Sequence, residues 1–300
     1  MTVSRSPRKS QITRRRFLKA SACAAGGFAL YAGELERHWI EVSESDVVIP
    51  GLPPAFDGFR IAQISDIHMD EFTEAFFVHE VVNHVNSLKP DAVFLTGDFV
   101  TSEFASQKFA IGAGWQCAGI LKELTCRQRY AVLGNHDCQV GADEVSEALA
   151  DNNIIVLRNY YMPLERSGAR IWLAGLADPL QGSPDPEATI PASIRNIPQE
   201  PIILLCHAPD YVDDLLAMPS GQAVSLMLCG HTHGGQVRLP LIGPMILPRM
   251  GHKYVEGWFR FGRLQMHVNR GIGTVGVPFR FDCPPEISLL TLRAPSSVGE

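Results

Sequence analysis

Five short apolar runs in this chain each end directly in residues that bind metals or move protons. Gln63-Ile64-Ser65 leads into Asp66-Ile67-His68, and Val93-Phe94-Leu95-Thr96 leads into Gly97-Asp98. Val132-Leu133 leads into Gly134-Asn135-His136-Asp137, Leu204-Leu205-Cys206 into His207, and Met227-Leu228-Cys229 into Gly230-His231-Thr232-His233. Short runs rich in β-branched and aliphatic residues read as buried strands. The spacing predicts strands at 60–64, 92–95, 130–133, 154–157, 202–206 and 226–229. Between them, residues 74–88 carry Phe77, Val81, Val85 and Leu88 on one helical face and stop at Lys89-Pro90. Further helices are expected near 104–124, 142–150 and 212–217. Residues 162–165 and 170–174 flank Ser167-Gly168 as a hairpin, and 237–292 reads as short strands between Gly/Pro turns. Alternating units followed by a strand-rich half predict an α/β fold of two sheets packed face to face with helices outside. Ligand sites in such folds lie beyond the carboxyl ends of the strands.

The residue types at those ends point to metal chemistry. In extended backbone, Asp66 and His68 would project to one side, as would His231 and His233. Gly97, Gly134 and Gly230 each precede a donor, where backbone freedom lets the chain turn sharply. Asp, Asn and His together suit Mn, Fe(II) or Zn. Thiolate is absent from the set, which disfavours a structural cysteine-type zinc site. One such piece alone reads as a turn or a cap. Five of them, each after an apolar run, read as one centre. A carboxylate between two cations can bridge them, and metals about 3.5–4 Å apart serve in-line phosphoryl displacement.

Taken together, Asp66-x-His68, Gly97-Asp98, Gly134-Asn135-His136-Asp137, His207 and Gly230-His231-x-His233 resemble the calcineurin-like metallophosphoesterase superfamily, in the family's order. The resemblance implies a four-layer α/β-β/α sandwich of two mixed β-sheets flanked by helices, with two divalent ions (Mn, Fe or Zn) at the sheet ends. It places Asp66, His68 and His233 on one metal and Asn135, His207 and His231 on the other, with Asp98 bridging. A metal-bound hydroxide would attack phosphorus, His136 would assist the leaving group, and Asp137 would orient His136 by a hydrogen bond. Segments Val268–Thr274, Pro278–Arg280 and Pro285–Ile287 resemble the exported YkuE/YaeI-like phosphodiesterase branch. Arg270 and Arg280 are candidates for substrate phosphate, because guanidinium pairs bidentately with it; pairing with sheet-end carboxylates is the other reading. The expected substrate is a phosphoester, with lipid- or cell-wall-linked esters among the candidates. Two alternatives stand beside this: a pyrophosphatase of nucleotide- or lipid-linked diphosphates, and a non-catalytic metal-stabilised envelope protein. The second would not need His136.

Residues 1–33 are a separate object. They hold seven basic residues and no acidic one, so a chain of net charge −6 has −13 on the rest. A body that acidic excludes a nucleic-acid groove, which needs clustered Lys and Arg. Thr13-Arg14-Arg15-Arg16-Phe17-Leu18-Lys19 resembles the twin-arginine export signal, implying the twin-arginine translocase as a partner and a periplasmic or envelope location. The apolar stretch that follows, 20–32, is too short and too rich in Ala and Gly for a membrane span. A cut after Ala32 would leave Leu30 unfavourably placed, so an uncleaved, membrane-associated anchor is the second reading. The expected organisation is 1–33 signal, 34–57 N-terminal strand and linker, 58–293 catalytic domain and 294–300 tail. The apolar loop 239–251 reads as a lid, a membrane-facing flap or core, and His84 as a core histidine on its helix.

Overall fold

The computed structural model describes residues 13–70, 72–102 and 106–295. Residues 1–12 of the expected signal, the start of the helix expected from 104, and 296–300 of the expected tail lie outside the described residues. The strands are β1 (Glu41–Val48), β2 (Arg60–Ile64), β3 (Ala92–Leu95), β4 (Arg129–Ala131), β5 (Ile155–Val156), β6 (Tyr160–Arg166), β7 (Ala169–Gly175), β8 (Ile202–Leu205), β9 (Val224–Cys229), β10 (Arg238–Leu239), β11 (Gly243–Pro244), β12 (Gly257–Phe261), β13 (Leu264–Val268) and β14 (Glu286–Arg293). The helices are α1 (Arg14–Leu30), α2 (Ala75–Leu88), α3 (Gln107–Leu121), α4 (Asn135–Asp151) and four short ones, α5 (Pro186–Thr189), α6 (Ala192–Arg195), α7 (Val212–Leu216) and α8 (Pro219–Ala223).

Two six-stranded mixed sheets result, ordered β1-β14-β2-β3-β4-β5 and β12-β13-β9-β8-β7-β6. The central strands β2 to β5 run parallel, as do β13, β9, β8 and β7. Side chains alternate across each strand, so a strand buried on both faces must be apolar at every position. Along β3, Val93 and Leu95 pack under α2–α4 while Ala92 and Phe94 face the second sheet. Along β8, Ile203 and Leu205 meet that inter-sheet layer while Ile202 and Leu204 pack under the short helices. Four layers follow from this alternation: helices, sheet, sheet, helices.

A strand was expected within 34–57 and short strands through 237–292, but not how they pair. β1 is Glu-Val-Ser-Glu-Ser-Asp-Val-Val, largely exposed, and it joins the first sheet only by pairing in parallel with β14. β14 itself returns from the far end of the chain to run antiparallel beside β2. His84 is a correction to expectation. It is exposed and faces Glu80 across 4.0 Å, because Phe77, Val78, Val81, Val82 and Val85 already fill the buried face of α2.

Helix α1 is capped by Thr13, whose side chain accepts from the Arg16 amide, and buries none of its residues. No helix among the described residues is long and apolar enough to cross a membrane. The chain then turns into the body. Ala32 is buried and its carbonyl accepts the Arg280 amide at 3.0 Å, and the Glu36 carboxylate accepts the Cys283 amide at 2.7 Å. A chain lacking residues 1–33 loses the first of these bonds and uncovers Phe279. It should be about 1–2 kcal/mol less stable, with Tm lower by about 2–4 °C per kcal/mol. Deleting only 1–25 should leave Tm unchanged, and thermal unfolding of the two truncations checks this.

Candidate metal centre

The carboxyl ends of β2, β3, β8 and β9 and the start of α4 converge at one edge of the sandwich. The donor residues do not sit in extended backbone, as alternation would require. Asp66, His68, Asp98, His231 and His233 take left-handed conformations, with φ of 51°, 48°, 56°, 75° and 52°. Such a conformation costs of order 1–3 kcal/mol at a non-glycine residue and persists only where its surroundings over-determine it. Here they do. The Asp66 amide donates to Gly97 O and the His68 amide to Asp98 O, while Asp66 O accepts from Gly273 N at 2.7 Å. Both Asp66 carboxylate oxygens accept the His231 amide, at 2.9 and 3.0 Å. Of the three glycines, Gly97 alone turns through positive φ (98°); Gly134 and Gly230 do not. What Gly134 supplies is room, since a Cβ there would lie 2.2 Å from Asp98 Oδ1.

The turns bring the Asp and His donors into two groups. Asp66, His68 and His233 form one, and Asp98, His207 and His231 the other, with ligand atoms within 4.8 Å of one another in each; His136 makes a third such group with His68 and Asp98. Asp98 stands between them: its Oδ2 lies 3.5 Å from His68 Nε2 and 3.1 Å from His207 Nε2. His68 Nε2 faces His233 Nε2 at 3.1 Å, and His207 Nε2 faces His231 Nδ1 at 3.2 Å. The outer nitrogens of two of these rings are held by carbonyls, His207 Nδ1 by Thr96 O and His231 Nε2 by Arg249 O, both at 2.7 Å. A carbonyl only accepts, so each of those outer nitrogens carries a proton. In their neutral form His207 and His231 would therefore aim lone pairs at each other, and His207 also at Asp98.

The electrostatics of the cluster call for positive charge at two points. Burial works against charging His207 and His68, yet Asp98 and Asp66 outweigh it and raise both, His207 well above the usual imidazole range. His231 and His233 go the other way. Burial and the neighbouring His207 and His68 imidazoles hold them down, His231 to about 3. Near them, the buried Asn135 Oδ1 has no hydrogen-bond partner, although a buried amide oxygen normally has one. Facing lone pairs, two buried carboxylates and an orphaned carbonyl fit divalent cations of the Mn, Fe(II) and Zn kind.

His136 lines the cavity above this floor. Its Nδ1 accepts the Ser102 backbone amide at 3.2 Å and lies 2.9 Å from Ser102 Oγ, which also faces Gln139 Oε1 at 2.6 Å. In the neutral ring this leaves the proton on Nε2. Burial pushes its pKa down to about 4, against the pull of Asp98. The expected partner, Asp137, makes no hydrogen bond to the His136 ring. It accepts instead from the amides of Asp98, Phe99, Val100 and Gly134, at 2.8–3.3 Å. Asp137 is therefore the clasp that fixes the β3 loop against α4, and Ser102 is the residue that orients the imidazole. No motif marked Ser102, because the contact arises from where the β3 loop lands.

Of the two readings for the arginines, Arg270 shows the pairing with carboxylates, and Arg280 shows neither. Arg270 donates to Glu286 at 3.2 Å and to Glu41 at 2.9 Å. Arg280 is wholly buried and donates to the carbonyls of Gly273, Cys283 and Arg270. Neither lines the cavity. Both hold the 270–283 loop in place, because sheet-end carboxylates and loop carbonyls engage their donors. Gln236 locks the neighbouring turn, bonding to Val275 and Val277. The cavity over the donors measures about 510 Å³, and its upper wall is apolar, with Val237, Met245, Ile246, Pro248, Val275 and Val277.

A family model described as calcineurin-like phosphoesterase matches residues 59–235. The chain belongs to that family. It is a metallophosphoesterase, a hydrolase of phosphoric ester bonds. The Bacillus subtilis (strain 168) uncharacterized metallophosphoesterase YkuE is 34% identical over 294 residues, covering 95% of this chain and 99% of its own. The Escherichia coli (strain K12) phosphodiesterase YaeI is 31% identical over 288 residues, covering 94% and 99%. Among solved structures, the Haemophilus influenzae NAD nucleotidase NadN superposes with a TM-score of 0.50 over 71% of this chain and 45% of its own, at 15% identity, a likeness of fold alone. Family and geometry together point to a dimetal centre in this metallophosphoesterase.

The Ser102 contact is open to test. Ser102→Ala keeps the amide but removes the hydroxyl, and should lower kcat about tenfold with KM and metal content unchanged. Asp137→Ala strands four backbone donors and should destabilise the fold by about 3 kcal/mol or more, measured by denaturant unfolding.

Proposed function

We propose that the chain is a dinuclear phosphodiesterase exported by the twin-arginine route to the periplasm or cell envelope. One observation carries the catalytic part: the Asp98 carboxylate oxygen sits between His68 Nε2 and His207 Nε2, with Asp66 and His233 beside the first and His231 beside the second. In this reading Asp66, His68 and His233 hold one divalent ion, Asn135, His207 and His231 hold the other, and Asp98 serves both. Two such ions, whether Mn, Fe or Zn, would supply Lewis acidity toward phosphoryl oxygens and a lowered pKa for water. His136 presents Nε2–H to the departing oxygen and Ser102 fixes the ring for that role. Preference for diesters is supported by the printed name of the YaeI relative. Export is supported by the heptapeptide Thr13–Lys19 and by the exposed helix that carries it.

The test pairs metal analysis with turnover of bis(4-nitrophenyl) phosphate. Asp98→Asn should lose bound metal and nearly all activity. His136→Ala should keep its metal and lose about 10²–10⁴-fold in kcat. Wild-type protein with two ions bound and no turnover of mono- or diesters would remove the reading. For export, Arg14→Lys with Arg15→Lys should retain a reporter fusion in the cytoplasm, measured by cell fractionation.

A further inference from the structure

The segment that roofs the cavity is apolar where it meets water. Between Arg238 and Arg249 the chain reads Leu-Pro-Leu-Ile-Gly-Pro-Met-Ile-Leu-Pro, with no charged residue. Its strands β10 and β11 form a small hairpin, and at the hairpin's tip Leu241 is fully exposed and Ile242 is 72% exposed. Leu241 also takes a left-handed backbone, φ 68°. Asn, Asp or Gly would hold that turn without strain, so a leucine there is not explained by the turn. Just past the tip, Met245 and Ile246 are 52% and 81% exposed while also lining the cavity. The apolar wall of the site therefore runs out onto the surface.

This rim is continuous with the N-terminal segment. Val237 bridges to Phe281, and the Phe28 ring stacks against Phe281 with centroids 4.8 Å apart. Helix α1 leaves the body from that point, with Phe28 and Leu30 exposed. About 18 Å along its axis it carries Arg14, Arg15, Arg16 and, a turn inward, Lys19, with no acidic residue in the helix. On the other flank Arg249 is exposed at the cavity edge. The rest of the chain is strongly acidic and Asp282 is exposed beside Phe281, so the cations this face offers are Arg249 at the cavity edge and those on the outer turns of α1. A convex apolar tip flanked by cations suits the interfacial zone of an anionic bilayer, where apolar side chains enter the acyl boundary and Lys/Arg meet head groups.

We propose that, in the chain that keeps residues 1–33, the 239–248 hairpin and helix α1 together dock this protein on an anionic lipid surface, with the mouth of the cavity turned toward the membrane. The occupant is the bilayer itself, and docking does not depend on which ester is hydrolysed.

The experiment is sedimentation of the full chain with vesicles of phosphatidylcholine and phosphatidylglycerol (7:3), beside hydrolysis of soluble bis(4-nitrophenyl) phosphate. Wild type should bind, with affinity falling at least tenfold in pure phosphatidylcholine vesicles. Leu241→Ser with Ile242→Ser should weaken binding to the mixed vesicles at least tenfold while soluble turnover stays within twofold. A wild type that stays in the supernatant overturns the proposal, as does a double variant that binds undiminished, which would leave helix α1 as the sole contact. A dimer in sedimentation velocity that dissociates in the double variant, without vesicle binding, would assign the rim to a second copy instead. Soluble hydrolysis reports on the phosphoesterase reading separately, since neither substituted residue lines the cavity.

Discussion

Two carboxylates, Asp66 and Asp98, are buried to 0–1% exposure among four imidazoles, and that arrangement is stable only if positive charge is shared among them. Isolated buried carboxylates are expensive. The fold meets the demand with rings whose inner nitrogens lie about 3 Å from one another or from Asp98. Asp98 and Asp66 favour positive charge on His68 and His207. Divalent ions would supply the same charge while using the lone pairs of every ring at once. Asp98 is the point at which the two groups become one centre.

Much of the remaining structure serves to hold those donors still. The inter-sheet layer of Ile61, Phe94, Val132, Leu205 and Leu228 sets the two sheets against each other, so the ends of β2 and β3 meet the ends of β8 and β9. At that edge a polar bridge replaces apolar packing. Gln63 donates to Cys229 O at 2.8 Å and to Thr96 Oγ1 at 3.2 Å, and its carbonyl oxygen lies 3.0 Å from His267 Nδ1. The bridge ties the strand before Asp66 to the strand before His231. Behind it, Arg280 and Glu36 brace the loop that runs past His233, whose carbonyl accepts from Cys283 Sγ. Residues 32–36 thus belong mechanically to the catalytic body.

The clustering of Asp66, His68, Asp98, His207, His231 and His233 was legible because each follows an apolar run that reads as a buried strand. The core was legible for the same reason: β2 and β3 span the residues expected of them. What reads less well is everything carried by single contacts between distant loops. Asp137 looks like the partner of its neighbour His136, yet its carboxylate turns back to four amides, because a helix start beside a tight loop leaves those donors unpaired. Ser102 takes the place instead. Arg270 and Arg280 look like phosphate ligands by type, but in a body this acidic the first finds Glu286 and Glu41 before any substrate. His84 sits on an apolar-looking helix whose buried face has no room for it.

The amino-acid sequence by itself determined the alternation of strands and helices, the identity of the donor residues and the basic leader ahead of an acidic body. Hydrophobic period and residue chemistry are local properties, and they survive without coordinates. Only the tertiary structure decided that five of the donors sit in left-handed turns and that β14 lies between β1 and β2 in the first sheet. It also decided that the 239–248 hairpin presents its leucine to solvent. Those outcomes depend on which loops meet across the sheet ends, and such meetings are set by the packing of the whole sandwich, not by any short stretch of chain.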